Sequence, residues 1–158
     1  MPTIAPLTAD ILVSATCWAA EPDAEALVQR AIEAAARQTS ADGAEVAIVL
    51  TDDSGIRSLN RDWRGIDKPT NVLSFPAAKT PVHGGEPRLL GDIAIAYETT
   101  RREAESENKP FAHHLSHLAV HGFLHLVGYD HENDADAETM ESLERTILAG
   151  LGVPDPYA

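Results

Sequence analysis

Residues 110–131 read PFAHHLSHLAVHGFLHLVGYDH, and this stretch predicts a long helix, ending near residue 127, that is followed by a turn. His121 and His125 are four residues apart, so their side chains lie on one face of that helix. Gly128 favours the left-handed conformation that ends a helix. The chain can then turn back and bring His131 to the same face. The pattern therefore predicts three imidazoles that converge on one point.

Three neutral imidazoles with one open position are typical of a catalytic zinc site, where bound water ionises near neutral pH. The spacing His-x3-His-x2-Gly-x2-His is that of the metzincin metalloproteases. Those enzymes carry a glutamate, their general base, directly after the first histidine, and here that position is Gly122. A glycine cannot accept a proton. The sequence therefore predicts the metal site without peptidase activity.

The neighbouring histidines do not all belong to this pattern. His113 and His117 continue the four-residue spacing toward the N-terminus, and His114 follows His113. Each step of four residues turns by about 40° around the helix, so these rings drift away from the metal-binding face. We expect His117 in the pocket beside the site or packed next to it, and His113 and His114 at the surface. His83 lies in the Pro- and Gly-rich segment Thr80–Pro87, where we expect it to be solvated.

Hydrophobic periodicity and turn residues predict four strands and five helices for the whole chain. The predicted strands are Asp10–Thr16, Ala44–Leu50, Pro69–Pro76 and Gly91–Tyr97. The predicted helices are Pro22–Gln38, Asp53–Asp62, Glu98–Asn108, Pro110–Val127 and Asp134–Ala149. Asp53 or Ser54 is expected to cap the second helix, with Ile56 and Leu59 facing inward. Because the order is interleaved at first and then all-helical, we expect an α+β fold, a small mixed four-stranded sheet packed with about five helices. The predicted metal site lies on a helix of the C-terminal half and the following turn.

The size and composition indicate a globular protein. With 158 residues, 44% of them hydrophobic and 23% charged, residues 1–158 are expected to form a single domain. Cys17 is the only cysteine, which excludes an intramolecular disulfide and a cysteine-based zinc ribbon and favours a reducing compartment. The chain has no apolar run of the length a membrane span needs and no secretory signal pattern at its start. We therefore expect a cytoplasmic location and no membrane partner.

The charge is strongly negative, with a formal net charge of −13. This charge argues against a general polyanion binder. However, most of the basic residues lie between Arg57 and Lys109, where acidic and basic residues nearly balance. An anionic substrate could therefore meet a positive cleft in the middle of the chain, while the alternative is a solvated acidic surface with no partner.

Four blocks of the sequence resemble the bacterial YbeY family of metal-dependent endoribonucleases. These blocks are LNRDWRGIDKPTNVLSFP at 59–76, LGDIAI at 90–95, HGFLHLVGYDH at 121–131 and, more weakly, MESLE at 140–144. The resemblance implies an α+β fold, one Zn²⁺ held by His121, His125 and His131, and a functional arginine at Arg64. It also implies single-strand-directed cleavage of RNA, maturation of the 3′ end of 16S rRNA and a role in ribosome quality control. The implied partners are ribosomal RNA and the ribosome or its associated proteins, with no DNA, and Ni²⁺ is an alternative ion.

Further residues are assigned by their chemistry. Arg64 offers a planar, permanently charged group to phosphate oxygens, and the resemblance makes it the expected catalytic residue. Without the resemblance, a surface arginine at the end of a helix would be the favoured interpretation. Asp92 and Asp130 are equal candidates for a carboxylate that orients a ligand imidazole. Asn71 could contact RNA or shape the turn into its strand, and His117 is a further pocket candidate.

The sequence leaves the reaction and one competing function open. No residue is an obvious general base, so either activated water or the 2′-hydroxyl of the substrate could attack phosphorus. The alternative function is a non-catalytic ribosome-assembly factor with a structural three-histidine metal site, and a hydrolase of some small substrate is a third option. A closed structural zinc site normally has four protein ligands, and the sequence offers three, which favours catalysis.

Overall fold

We describe residues 7–39, 41, 43–77 and 88–158 of a computed structural model. The segment Thr80–Pro87, including His83, lies outside the described residues, so its predicted exposure stays a prediction. Among the described residues, no helix is both long enough and apolar enough to cross a membrane.

The described residues contain one four-stranded mixed sheet, which confirms the predicted α+β architecture. Its strands are β1 (Thr8–Val13), β2 (Ala44–Thr51), β3 (Val72–Pro76) and β4 (Arg88–Ala96). They lie in the order β1-β2-β4-β3; β1 and β4 each run parallel to β2, and β3 is antiparallel to β4. The antiparallel edge strand β3 packs against the helix that carries His121 and His125.

The described residues form five α-helices that pack with the sheet, as predicted. They are α1 (Ala24–Thr39), α2 (Asp53–Arg64), α3 (Tyr97–Ser106), α4 (Phe111–Leu126) and α5 (Asp134–Gly150). The larger core joins α1, α4 and α5 to one face of the sheet. A smaller cluster joins Ile56 of α2 to Leu73, Ala94 and Ala96 on the opposite face. Side chains alternate along a strand, so β4 supplies both cores.

Several predicted boundaries were wrong by a few residues. The first strand ends at Val13, because Thr16–Ala20 forms a short 3₁₀ helix that buries Trp18. The second helix is capped by Asp52, whose side chain accepts a hydrogen bond from the backbone N–H of Gly55 at 2.7 Å, and not by Asp53 or Ser54. Each of these ends depends on a tertiary contact or on the geometry of one cap, which hydrophobic periodicity does not reveal.

Helix α4 packs very closely on the sheet at Gly122. A Cβ atom at this position would lie 3.0 Å from Ile93 Cγ2 and 3.2 Å from both Ser74 Oγ and Val72 Cγ2. Ser74 Oγ also donates a hydrogen bond to the Gly122 carbonyl at 2.9 Å. The absence of a side chain at Gly122 thus lets β3 approach α4 directly beside His121.

Candidate metal centre

A turn at Gly128 ends α4 and directs the chain back toward His121 and His125. Gly128 has a φ of 103°, which a residue with a side chain rarely adopts. Its N–H donates to the carbonyl of His125 at 3.2 Å, and the N–H of Tyr129 donates to the carbonyl of Leu124 at 3.0 Å. This pair of bonds is a Schellman motif. The predicted glycine turn is therefore present, and it leads the chain to His131.

The three predicted ligands lie together. One ring nitrogen each from His121, His125 and His131 falls within 4.8 Å of the others. His121 Nε2 and His125 Nε2 lie 3.1 Å apart. Tetrahedral zinc with Zn–N bonds of about 2.0–2.1 Å requires ligand nitrogens roughly 3.3 Å apart, so this pair fits such an ion. Among the described residues, no fourth His, Cys, Asp or Glu joins this group.

The His125 ring has the protonation state that a metal ligand needs. Burial lowers the pKa of His125, and the neighbouring His121 and His131 rings lower it further because each could carry positive charge. A lowered pKa keeps this imidazole neutral at neutral pH, with a lone pair available on one nitrogen.

Asp130 lies beside the group but does not touch a ligand ring through its carboxylate. Its Oδ1 accepts a hydrogen bond from the backbone N–H of His131 at 2.7 Å, and the side chain of Asp130 is exposed. This contact stabilises the backbone of the turn that carries His131. It is not the predicted contact between the Asp130 carboxylate and an imidazole ring.

The carboxylate that contacts the imidazole of a candidate ligand, His121, is Glu144 of α5, which sequence reasoning did not single out. Glu144 is 0% exposed, and its Oε1 lies 3.0 Å from His121 Nδ1. Its Oε2 lies 2.6 Å from His117 Nε2, so His117 belongs to the same network. Burial alone would raise the pKa of the Glu144 carboxyl, but hydrogen bonds from His117 and His121 outweigh burial and lower it to about 2.

His117, His121 and Glu144 form a second group whose atoms lie within 4.8 Å of one another. His121 faces Glu144 with Nδ1 and His125 with Nε2, so its two nitrogens serve different neighbours. An Nδ1–H that donates to Glu144 leaves the Nε2 lone pair directed at the three-histidine group. This is the carboxylate–histidine–metal arrangement common in metal sites, and it favours the three-histidine group as the metal centre.

A signal for Glu144 was present in the sequence. In the helical register of α5, Met140, Glu144 and Leu148 are spaced four residues apart, and both apolar neighbours are buried. A glutamate in the apolar stripe of a helix must find hydrogen-bond partners inside the protein. The structure supplies those partners from α4.

Asp92 is not part of this site, contrary to the prediction. It lies on β4 between Gly91 and Ile93, and Ile93 faces α4. Because neighbouring residues of a strand face opposite sides, Asp92 points to the other face of the sheet. There it lines an apolar groove that also includes Trp63 of α2.

Arg64 lies on the wall of the cleft that contains the histidines. Helix α2 ends after this residue at Gly65, which has a φ of 71°. Arg64 Nη2 donates to the Ser74 carbonyl at 3.3 Å, and Ser74 in turn contacts Gly122. The cleft has a volume of about 1010 Å³, and Arg64, His121, His125 and His131 all line it.

Asn71 and His114 form a separate network at the same cleft. Asn71 Nδ2 donates to Glu103 Oε1 at 2.9 Å, and its Oδ1 accepts from the backbone N–H of Val72 at 2.6 Å. His114 Nε2 lies 2.8 Å from the same Glu103 oxygen and is only 5% exposed, so the predicted surface position was wrong. Asn71 therefore shapes the start of β3 and links it to α3, while its side chain still borders the cleft.

The fold and the site define an α+β protein in which three histidines form a candidate metal site and share a cleft with an arginine. A model of the family described as "Endoribonuclease YbeY" matches residues 14–152. The chain belongs to the YbeY endoribonuclease family.

Close relatives carry the same name. The chain is 68% identical to the endoribonuclease YbeY of Rhodopseudomonas palustris over 157 residues, which cover 97% of this chain and 94% of that protein. It is 67% identical to the endoribonuclease YbeY of Bradyrhizobium diazoefficiens over 158 residues, covering 97% and 86% of the two chains. The solution structure of TM1509 from Thermotoga maritima matches with a TM-score of 0.61 over 92% of both chains at 23% identity, which supports the fold.

Proposed function

We propose that this protein is a metal-dependent endoribonuclease that cleaves single-stranded RNA. Its proposed role is maturation of the 3′ end of 16S rRNA and ribosome quality control in the cytoplasm, with residues 1–158 acting as one domain. The observation that carries the proposal is the position of Arg64 and the three-histidine group in one cleft of a chain whose relatives are named endoribonucleases.

The proposed metal ligands are His121, His125 and His131, and the proposed ion is Zn²⁺, with Ni²⁺ as the alternative. When bound, such an ion supplies Lewis-acid polarisation of a phosphoryl oxygen. The chain provides a neutral imidazole at His125, whose pKa is lowered by burial, and Glu144 accepts a hydrogen bond from His121 Nδ1, which leaves His121 Nε2 facing His125. His131 is exposed to the cleft, where a phosphodiester has room to approach.

Arg64 binds the phosphate in this proposal. Two arginines line the cleft, Arg64 and Arg102, and Arg102 is already paired with Asp53 at 2.8 Å. Within the described residues, Arg64 pairs with no carboxylate, and its hydrogen bond is to the Ser74 carbonyl. A guanidinium without an acidic partner can offer its remaining N–H groups to phosphate oxygens, where negative charge increases during cleavage. A local cation of this kind reconciles RNA binding with the acidic composition.

The test compares metal content with RNA cleavage in matched variants. Arg64→Ala is expected to keep full zinc content and to lose about 100-fold or more of the cleavage rate, as removal of one charge-stabilising donor does elsewhere. His121→Ala is expected to lose zinc and cleavage together. The control is Arg61→Ala, because Arg61 is exposed on the same helix and pairs with Asp62 outside the cleft. Cleavage by Arg64→Ala at the wild-type rate would refute the role of Arg64.

The same assay separates the competing functions and the two reaction routes. A wild-type protein with full zinc content that cleaves no single-stranded RNA would support the non-catalytic assembly factor. If cleavage occurs, products ending in a 2′,3′-cyclic phosphate indicate attack by the 2′-hydroxyl of the substrate. Products that carry a 5′-phosphate and a 3′-hydroxyl indicate attack by water, because attack by the 2′-hydroxyl leaves a 5′-hydroxyl.

A further inference from the structure

The Glu144 carboxylate is buried and accepts hydrogen bonds from three side chains. Besides His121 on Oε1 and His117 on Oε2, the hydroxyl of Tyr157 donates to Oε2 at 2.9 Å. Tyr157 follows α5 in the C-terminal segment, far from α4 in sequence. Burial and the negative charge of Glu144 raise the pKa of Tyr157, so its hydroxyl stays protonated and able to donate.

The C-terminal segment is fixed against α5 by several contacts. The guanidinium carbon of Arg145 lies 5.4 Å from the centre of the Tyr157 ring. Asp155 accepts from Arg145 Nε at 3.2 Å and from the Tyr157 backbone N–H at 2.8 Å. The Tyr157 ring also meets the His117 ring edge-on, with centres 5.6 Å apart. Tyr157 is thus held in place by its ring and backbone, independently of the hydrogen bond from its hydroxyl.

We propose that Tyr157 is a positioning residue for the metal centre and that it acts through Glu144. Its hydroxyl fixes Oε2, which leaves Oε1 directed at His121 Nδ1. The Nδ1–H of His121 is then held by the carboxylate, and the Nε2 lone pair stays directed toward His125 and His131. The inference rests on the proposed function in one respect, namely that these three histidines bind the metal.

Tyr157 can orient His121 because the Glu144 carboxylate accepts hydrogen bonds on both of its oxygens. Without the Tyr157 hydroxyl, Oε2 keeps His117 as its single donor, and the carboxylate can rotate away from His121. Partners of ligand imidazoles typically contribute about 10-fold to 100-fold to metal affinity. Tyr157 is separated from the metal site by one more hydrogen bond than Glu144 is. We therefore expect Tyr157→Phe to lower zinc affinity by about 10-fold, at the low end of that range, and Glu144→Gln to lower it by more.

The test uses Tyr157→Phe, which removes one oxygen and keeps the ring contacts with Arg145 and His117. The matched control is Tyr97→Phe, because the Tyr97 hydroxyl accepts a hydrogen bond from Arg101 at 2.9 Å in a different part of the fold. Zinc affinity is measured by competition with a chromogenic chelator. Tyr157→Phe should bind zinc about 10-fold more weakly than wild type, while Tyr97→Phe should match wild type.

A second readout separates positioning from a general loss of stability. Long-range ¹H–¹⁵N spectra of the zinc-loaded protein report the His121 Nδ1–H, whose exchange with water should accelerate in Tyr157→Phe and not in Tyr97→Phe. Unchanged zinc affinity and unchanged exchange in Tyr157→Phe would overturn the inference while leaving the proposed function intact. A wild-type protein that binds no zinc would overturn both.

Discussion

The substitution Gly122→Ala tests whether the close approach of α4 to the sheet is as tight as the structure indicates. The added Cβ would lie 3.0 Å from Ile93 Cγ2 and 3.2 Å from Ser74 Oγ and Val72 Cγ2. Ordinary contacts of such atoms begin near 3.4 Å, so each neighbour must move by a few tenths of an ångström. Ile93 is 1% exposed, and β-branched side chains on strands have little rotational freedom.

Two opposing effects set the expected magnitude. Alanine in place of glycine inside a helix gains about 1 kcal/mol of helix propensity. Overpacking of a buried contact costs about 1–3 kcal/mol. The hydrogen bond from Ser74 to the Gly122 carbonyl lies at the same contact and is strained by the same movement. We therefore expect Gly122→Ala to lower the free energy of unfolding by about 1 kcal/mol.

Urea-induced unfolding provides the assay, and the chain offers a matched control. Gly150 lies at the end of α5 with no atom near the position of an added Cβ, so Gly150→Ala should leave stability equal or slightly higher. Because α4 carries His121 and His125 together, Gly122→Ala should keep its zinc affinity. A Gly122→Ala protein at least as stable as wild type would show that α4 is not packed as tightly as described.

Two further predictions concern stability. Asp53 is partly buried, which raises its pKa, but hydrogen bonds including one from Arg102 at 2.8 Å outweigh burial and lower it. The ionised Asp53 carboxylate therefore stabilises the fold above about pH 4, and this stabilisation is lost as the pH falls. Asp53→Asn should lower the free energy of unfolding by about 1 kcal/mol at neutral pH. Urea unfolding at acid pH should show a smaller difference between the variant and wild type. Trp18 Nε1 donates to the Thr51 carbonyl at 2.8 Å in the core, so Trp18→Phe should cost about 2 kcal/mol by thermal unfolding. The exposed Trp63→Phe should stay within about 0.5 kcal/mol of wild type.

Gly122 also gives a structural reason why this site is not that of a metzincin peptidase. Glycine at this position already excludes the general base of those enzymes on chemical grounds. The structure adds that a longer side chain here would collide with Ile93 and β3. The position is therefore used for packing, and the space it leaves brings Ser74, with Arg64 on its carbonyl, beside the histidines.

The comparison of Asp92 with Glu144 shows why the sequence did not identify the carboxylate that contacts His121. Asp92 has the right residue type in a block that resembles the family, but strand alternation turns it to the far face of the sheet. Glu144 approaches from α5, which follows α4 in the chain and packs against it. Which carboxylate reaches His121 depends on how α5 is placed on α4, and no local pattern encodes that placement.

The sequence by itself determined the features that depend on local periodicity and on short motifs. These are the four strands and five helices, the turn at Gly128, and the convergence of His121, His125 and His131, because all three histidines lie within eleven residues of a helix and its C-cap. Only the tertiary structure decided the contacts that join distant segments. Those contacts place Arg64 in the cleft of the histidines, the Glu144 carboxylate against His121, and the Tyr157 hydroxyl against Glu144. Local sequence does not determine them, because each depends on the packing of elements that are separate in the chain.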